Sequence, residues 1–185
     1  DGAGVVPEVM IPLVSARREV EMVKTRIDAV AGAVRARTGA AFAYRLGVMV
    51  ETPRAALRAA EIAQHAAFLS FGTNDLTQMT YGLSRDDAGR FLPAYVAQGI
   101  FQEDPFHALD LEGVGELLRI GAERGRRGRG DVVLSLCGEH AGTPRAIEFC
   151  REEGFDYVSC SPYRVPVARL SAAQGAIRKS LIPGG

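Results

Sequence analysis

The stretch Phe71-Gly72-Thr73-Asn74-Asp75-Leu76-Thr77 decides how the rest of this chain is read. It follows Ala66-Ala67-Phe68-Leu69-Ser70, an apolar run short and bulky enough for a buried strand. It then passes into small and polar residues that cannot continue one. A polar cluster at the C-terminal end of a strand is where α/β folds place their sites. Gly72 lets backbone approach a ligand closely, Thr73 and Asn74 bring hydrogen-bonding groups, and Asp75 brings a hard oxygen suited to a divalent cation. From these residues alone, a strand followed by an ordinary Asn-Asp turn reads equally well.

Working outward, residues 44–51 form a second strand, nearly all apolar until it meets Glu51. Thr52-Pro53 then starts a helix over 54–66, with Thr52 as N-cap and Pro53 where its missing N–H is harmless. Upstream, residues 5–14 read as a strand with Pro7 and Pro12 at its margins. In residues 15–37 Val20, Val23, Ile27, Val30 and Val34 mark one buried helical face, with Ser15 as the N-cap and Gly39 helping to stop the helix. After Asp75 the pattern loosens as far as Asp104-Pro105-Phe106, a connection long enough to suggest a lid or binding loop.

A helix is predicted over 113–124, carrying Val114, Leu117 and Leu118. A strand follows over 131–139, then a helix opened by Thr143-Pro144 and closed by Gly154, a strand over 155–161, and a last helix over 166–181 with Leu170, Ala173 and Ile177 inward. Continuously apolar strands alternating with helices mean a parallel sheet covered on both faces. The fold class is therefore α/β, of the parallel (β/α) TIM-barrel type, with about five strand–helix units in residues 1–185. Strands ending in Glu51, Asn74-Asp75 and Cys137 put all three clusters on one rim.

With Lys and Arg together balancing Asp and Glu at 22 each, net charge gives no reason to invoke nucleic acid or an anionic membrane. The basic cluster Arg124-Gly-Arg126-Arg127-Gly-Arg129 reads as a solvated loop. No apolar run approaches a membrane span, and no signal sequence appears at the N-terminus. The three cysteines, 137, 150 and 160, suit neither a disulfide framework nor a zinc site, which points to a reducing cytoplasm.

Glu51 and Asp75 come from successive strands, so their carboxylates can approach. Two carboxylates together repel and one is pushed to protonate; a divalent ion removes that penalty, and Mg²⁺ is content with one or two carboxylates. The plainer reading makes both residues strand-end caps of the following helices. Cys137, with no base in its own strand, reads better as a proton donor than as a nucleophile, and a buried cysteine is most often neither. Cys150 and Cys160 read as core. His140 reads as polar support near Cys137, while His65 and His107 have no evident partner.

Several segments carry a family resemblance: Gly47-Val-Met-Val-Glu51-Thr-Pro-Arg54-Ala-Ala-Leu57, Phe71-Gly-Thr-Asn-Asp-Leu-Thr-Gln78, Ser84-Arg-Asp-Asp87, Cys137-Gly-Glu-His140 and Tyr157-Val-Ser-Cys-Ser-Pro-Tyr-Arg-Val-Pro166. In this order the chain resembles the C-terminal phosphoenolpyruvate/pyruvate-binding barrel of the pyruvate phosphate dikinases. Phosphoenolpyruvate synthase and enzyme I of the sugar phosphotransferase system share that barrel but match two of the segments less well. The resemblance implies that Glu51 and Asp75 hold the Mg²⁺ that bridges pyruvate's carboxylate and enolate oxygens. It implies that Gly72, Thr73 and Asn74 contact substrate and that Cys137 exchanges a proton with the methylene carbon.

It also implies partners that these residues do not supply. These are an ATP-binding domain, a swivelling domain with a phosphohistidine, and the arginines of the early barrel strands. Five of eight units cannot close the barrel, so residues 5–14 are expected to leave an exposed edge strand. A homodimer is expected, and the isolated chain is expected to be inactive. The alternatives are a fragment of a phosphoenolpyruvate synthase and a non-catalytic binding or dimerisation remnant.

Overall fold

The computed structural model describes residues 4–181, with side chains described as far as Arg178. Its frame is a five-stranded, wholly parallel sheet whose spatial order is the sequence order: β1 (Glu8–Ile11), β2 (Arg45–Val50), β3 (Phe68–Gly72), β4 (Val133–Cys137) and β5 (Tyr157–Val158). Each strand lying beside its predecessor is the winding of a barrel; a doubly wound sheet reverses its order at a switch point. The predicted class is therefore the observed one, left open at β1 and β5. Among the described residues, no helix is long and apolar enough to cross a membrane.

The helices are α1 (Arg17–Thr38), α2 (Pro53–Leu57), α3 (Ala59–Ala63), α4 (Thr73–Tyr81), α5 (Arg85–Ala88), α6 (Leu92–Ala97), α7 (Gly113–Gly128), α8 (Pro144–Glu152) and α9 (Val165–Leu181). The main core lies between the sheet and α2, α3, α7 and α8, and includes Val48, Val50, Ile62, Leu69, Phe71, Leu118, Leu134 and Leu136. Helix α7 reaches it through small residues. A Cβ at Gly121 would meet the Phe71 ring at 2.6 Å, one at Gly125 would meet Leu69 at 2.9 Å, and one at Gly128 would overlap the Ala60 carbonyl oxygen at 2.0 Å.

Several sequence expectations shift. Strand β1 is only four residues long because Pro12 ends it, and Leu13 then turns into the left-handed region at φ 50°. Helix α1 is capped at Ala16 instead of Ser15, and it is Glu19 that accepts both the Ser15 and the Ala16 N–H, at 2.7 and 2.8 Å. Along α1, Val20 is buried and Val23 and Ile27 half-buried, but Val30 is 64% exposed because the helix overhangs the sheet edge. The single helix expected over 54–66 is broken at Arg58, where φ is −110° and ψ 17°.

The connection after Asp75 is mainly helical as far as Ala97, and residues 98–112 are without helix or strand. The helical part forms α4, α5 and α6, and the connection carries a second small core of Ala88, Leu92 and Phe106. Helix α7 runs to Gly128, so the basic cluster lies at a helix end: Arg126 donates to the Glu153 carbonyl at 3.2 Å and Arg129 to the Ala66 carbonyl at 3.0 Å. On α9, Leu170 and Ile177 are 59% and 58% exposed, and the buried positions are Ala168 and Gly175. Ala173 is exposed as well, and the helix meets α8 where Gly175 lies against the Arg151 side chain and Arg178 Nη2 donates to Glu148 Oε1 at 3.1 Å.

Candidate active site

Parallel strands in register stack side chains in layers across the sheet. Met49, Ser70, Ser135 and Tyr157 are successive partners in one layer, and Gly72 and Cys137 are partners two residues further along. Val50 pairs with Phe71, so Glu51, the next residue, stands beside Gly72. Glu51, Gly72 and Cys137 therefore form one layer at the C-terminal ends of β2, β3 and β4, with Asp75 three residues past Gly72, above a floor in which Ser70 and Ser135 lie between Met49 and Tyr157. In that floor Ser135 Oγ is buried without a hydrogen-bond partner, so this interior is built to hold polar atoms.

Glu51 is 5% exposed. Its Oε1 accepts the Leu13 N–H at 2.7 Å, a bond that the left-handed Leu13 makes possible. Burial pushes the carboxyl above its usual range, against the Leu13 bond, and the neighbouring Asp75 carboxylate pushes the same way. This is the interacting pair expected from the sequence. A Cβ at Gly72 would stand 3.0 Å from Glu51 Oε2, so the absence of a side chain there keeps the second oxygen clear.

The sequence places Thr73, Asn74 and Asp75 in a turn; the structure makes them the first turn of α4. Their backbone N–H groups are among the four that a helix leaves unbonded at its start, and Asp75 sits where a negative charge is favoured. Thr73 is completely buried. Its hydroxyl lies 3.0 Å from the Cys137 carbonyl and 2.8 Å from His140 Nδ1, so this side chain supports the rim. Asn74 Oδ1 accepts the Glu139 N–H at 3.0 Å, which leaves its amide nitrogen as the outward donor.

Cys137 ends β4 and is partly buried. Burial raises the thiol above its usual range, a Ser70 hydrogen bond acts against that, and the Glu51 charge adds to it. A thiol in such surroundings keeps its proton at neutral pH, as a proton donor must. Behind it His140, 1% exposed, spans Thr73 and the Pro105 carbonyl, the latter at 3.0 Å from Nε2. Burial pushes the imidazole below its usual range, so it acts as neutral scaffolding, the polar support expected of it. Cys150 is core, its thiol pushed up to about 12 by burial. Cys160 departs from expectation: it lies beyond β5 and lines, with Cys137, Asn74, Ser159 and Arg164, a cavity of about 390 Å³ beside the rim.

Among the described residues, no three His, Cys, Asp or Glu side chains converge as a metal cluster. Magnesium needs fewer protein ligands than that and keeps the rest of its octahedron for water and ligand oxygens, and the Glu51–Asp75 pair fits it. Sequence reading missed the supports: the Leu13 N–H on Glu51, the Ser70 hydroxyl on Cys137, and Gln78, whose Nε2 donates to Asp75 Oδ1 at 2.9 Å. The only signal for Gln78 was its place three residues after Asp75 on what turns out to be a helix.

The fold is an open barrel with two carboxylates and a thiol on one rim. The family described as PEP-utilising enzyme, PEP-binding domain, matches residues 3–177, and the chain belongs to it. Among relatives, the chain is 59% identical over 176 residues to a pyruvate, phosphate dikinase of Rhizobium meliloti (strain 1021), which covers 95% of this chain and 20% of the relative. It is 54% identical over 173 residues to pyruvate, phosphate dikinase 2 of Zea mays (94% and 20%) and 51% identical over 176 residues to the pyruvate, phosphate dikinase of Clostridium symbiosum (95% and 20%).

The chain thus spans about a fifth of the length of these relatives. Solved structures share the fold at low identity. A citrate lyase from Burkholderia xenovorans LB400 superposes with a TM-score of 0.59 at 17% identity, covering 89% of this chain and 48% of that one. RipC from Yersinia pestis gives 0.57 at 12%, covering 91% and 65%.

Proposed function

We propose that residues 1–185 are the C-terminal part of the phosphoenolpyruvate/pyruvate-binding barrel of a pyruvate phosphate dikinase and carry the magnesium and enolate half of its active site. The parent reaction interconverts ATP, phosphate and pyruvate with AMP, pyrophosphate and phosphoenolpyruvate. The observation that carries this reading is the buried Glu51 carboxylate beside Asp75, raised in pKa and facing a glycine that leaves its free oxygen open. Glu51 and Asp75 would hold Mg²⁺. Bound there, Mg²⁺ supplies Lewis-acid stabilisation of the negative charge that develops on the enolate oxygen.

The remaining steps fall to groups of this chain. Backbone N–H groups at the start of α4, with Gly72 beside them, receive the substrate carboxylate, as helix N-termini do for anions. The Asn74 amide nitrogen donates to a substrate oxygen. Cys137 gives its proton to the methylene carbon when phosphoenolpyruvate becomes pyruvate and takes one back in reverse. The phosphoryl-binding arginines, the ATP-binding domain and the phosphohistidine domain belong to the rest of the parent protein, and the 185-residue chain alone does not turn over. The same reading carries a homodimer and a cytoplasmic setting, which suits the free thiols Cys137, Cys150 and Cys160.

The test is calorimetric titration with oxalate, a planar mimic of the enolate, with and without Mg²⁺. Magnesium-dependent binding that disappears in both Glu51→Gln and Asp75→Asn is expected. Binding that needs no magnesium, or that survives both substitutions, overturns the assignment. A folded sample that binds nothing overturns the claim that the half-site is preformed.

A further inference from the structure

Beyond α4 the chain turns back over the rim, and a closed circuit of contacts holds it there. Gln78 spans two elements: its Nε2 donates to Asp75 Oδ1 at 2.9 Å and its Oε1 accepts the Arg85 N–H at 2.8 Å. The Arg85 guanidinium lies over the Phe106 ring, 5.8 Å from its centroid. It grips Glu139 with both terminal nitrogens, Nη1 to Oε1 at 2.8 Å and Nη2 to Oε2. Glu139 gives its N–H to Asn74 Oδ1 at 3.0 Å, and Asn74 precedes Asp75 in the chain. The circuit closes because Gly138, at φ 101°, lets the strand end double back; a Cβ there would stand 2.4 Å from Thr73 Oγ1.

An exposed ion pair contributes little to stability, and the side chains of Arg85 and Glu139 are 35% and 59% exposed. What the circuit fixes is orientation. With Oδ1 of Asp75 committed to Gln78, Oδ2 is the oxygen left for a metal. With Oδ1 of Asn74 committed to the Glu139 N–H, the amide nitrogen is the group left for a ligand. Partners of this kind set the rotamers of the groups that do the binding.

We propose that Gln78, Arg85 and Glu139 are positioning residues of the magnesium–enolate site: a clasp that locks α5 onto the rim and aims the Asp75 carboxylate and the Asn74 amide at the ligand. The clasp's role rests on the functional reading above. Its geometry can be tested apart from that reading.

The experiment uses the full 185-residue chain in four forms besides the unsubstituted one: Gln78→Leu, Arg85→Gln, Glu139→Gln, and the exchange of Arg85→Glu with Glu139→Arg. Circular dichroism checks that each is folded. Amide hydrogen exchange at Arg85 and Glu139 reports the clasp, and oxalate titration in Mg²⁺ reports the site. Each single variant is expected to speed exchange at one or both amides and to weaken magnesium-dependent binding by about tenfold or more, the usual effect of losing a partner that orients a metal ligand. The charge exchange is expected to restore both readouts.

Unchanged exchange in the single variants overturns the clasp. Faster exchange with unchanged magnesium dependence overturns its positioning role. If the unsubstituted chain binds no oxalate, the half-site is not preformed in this chain and the positioning role fails with it, while amide exchange still decides whether the clasp exists.

Discussion

Glu51 has a pKa raised by burial and by Asp75, so its charged form is carried at a cost in the metal-free chain. For a carboxyl raised on folding, the contribution to stability is fully present below the unfolded-state pKa and is lost as pH rises through the folded-state pKa. The metal-free chain should therefore lose stability with rising pH above the ordinary carboxyl range. Glu51→Gln should flatten that dependence while keeping an acceptor for the Leu13 N–H. Relieving a functional-site strain of on the order of 1 kcal/mol should raise the thermal midpoint by about 3 °C in a chain of this size. Calorimetric scans over a pH series check both; a lower midpoint for the variant at neutral pH would sink the argument. Cys137 offers a second check. Ser70 offsets part of the burial that raises its thiol, so Ser70→Ala should move the pH profile of its alkylation upward, read by mass spectrometry with Cys160 as internal comparison.

At the scale of elements, α7 and α1 use glycine in opposite ways. Gly128→Ala would push a methyl into the Ala60 carbonyl, where backbone must give way; a loss of about 3 kcal/mol is expected, at the upper end of overpacking costs. A Cβ at Gly32, inside α1, would meet nothing within 4 Å, so Gly32→Ala should gain about 0.5–1 kcal/mol from helix propensity alone. Urea titrations of the two variants separate the cases, and equal effects would refute the packing account.

The same elements show what could be read from the chain beforehand. Glu51 and Cys137 were legible because each stands where a continuous apolar strand stops, with Asp75 three residues past the end of another, and the parallel order followed from strands alternating with helices. The onset of α4 at Thr73 was not legible, since Asn and Asp favour turns and helix starts through the same local hydrogen bonds. Helices α5 and α6, of four and six residues, are too short to show a period. The partners of Asp75 and Cys137 depend on how elements dock, which no local pattern records.

At the scale of the whole molecule, the sheet has two outer edges, at β1 and β5. Alongside β1 the overhang of α1 leaves an apolar groove of about 410 Å³ whose lining includes Pro7, Val9, Ile27, Val30, Val34 and Phe42. Val9 and Met10 are 37% and 39% exposed on the strand itself. An unpaired strand beside an apolar groove is a template for pairing with another chain. For the chain by itself, the expectation is a mass that rises with concentration in light scattering. Val9→Lys should reduce that rise, since a lysine on an edge strand opposes pairing, and it should leave magnesium-dependent oxalate binding intact because Val9 is remote from the rim. A chain that stays monomeric at every concentration, or a variant that associates as strongly as the original, would show that β1 is not the surface through which copies meet.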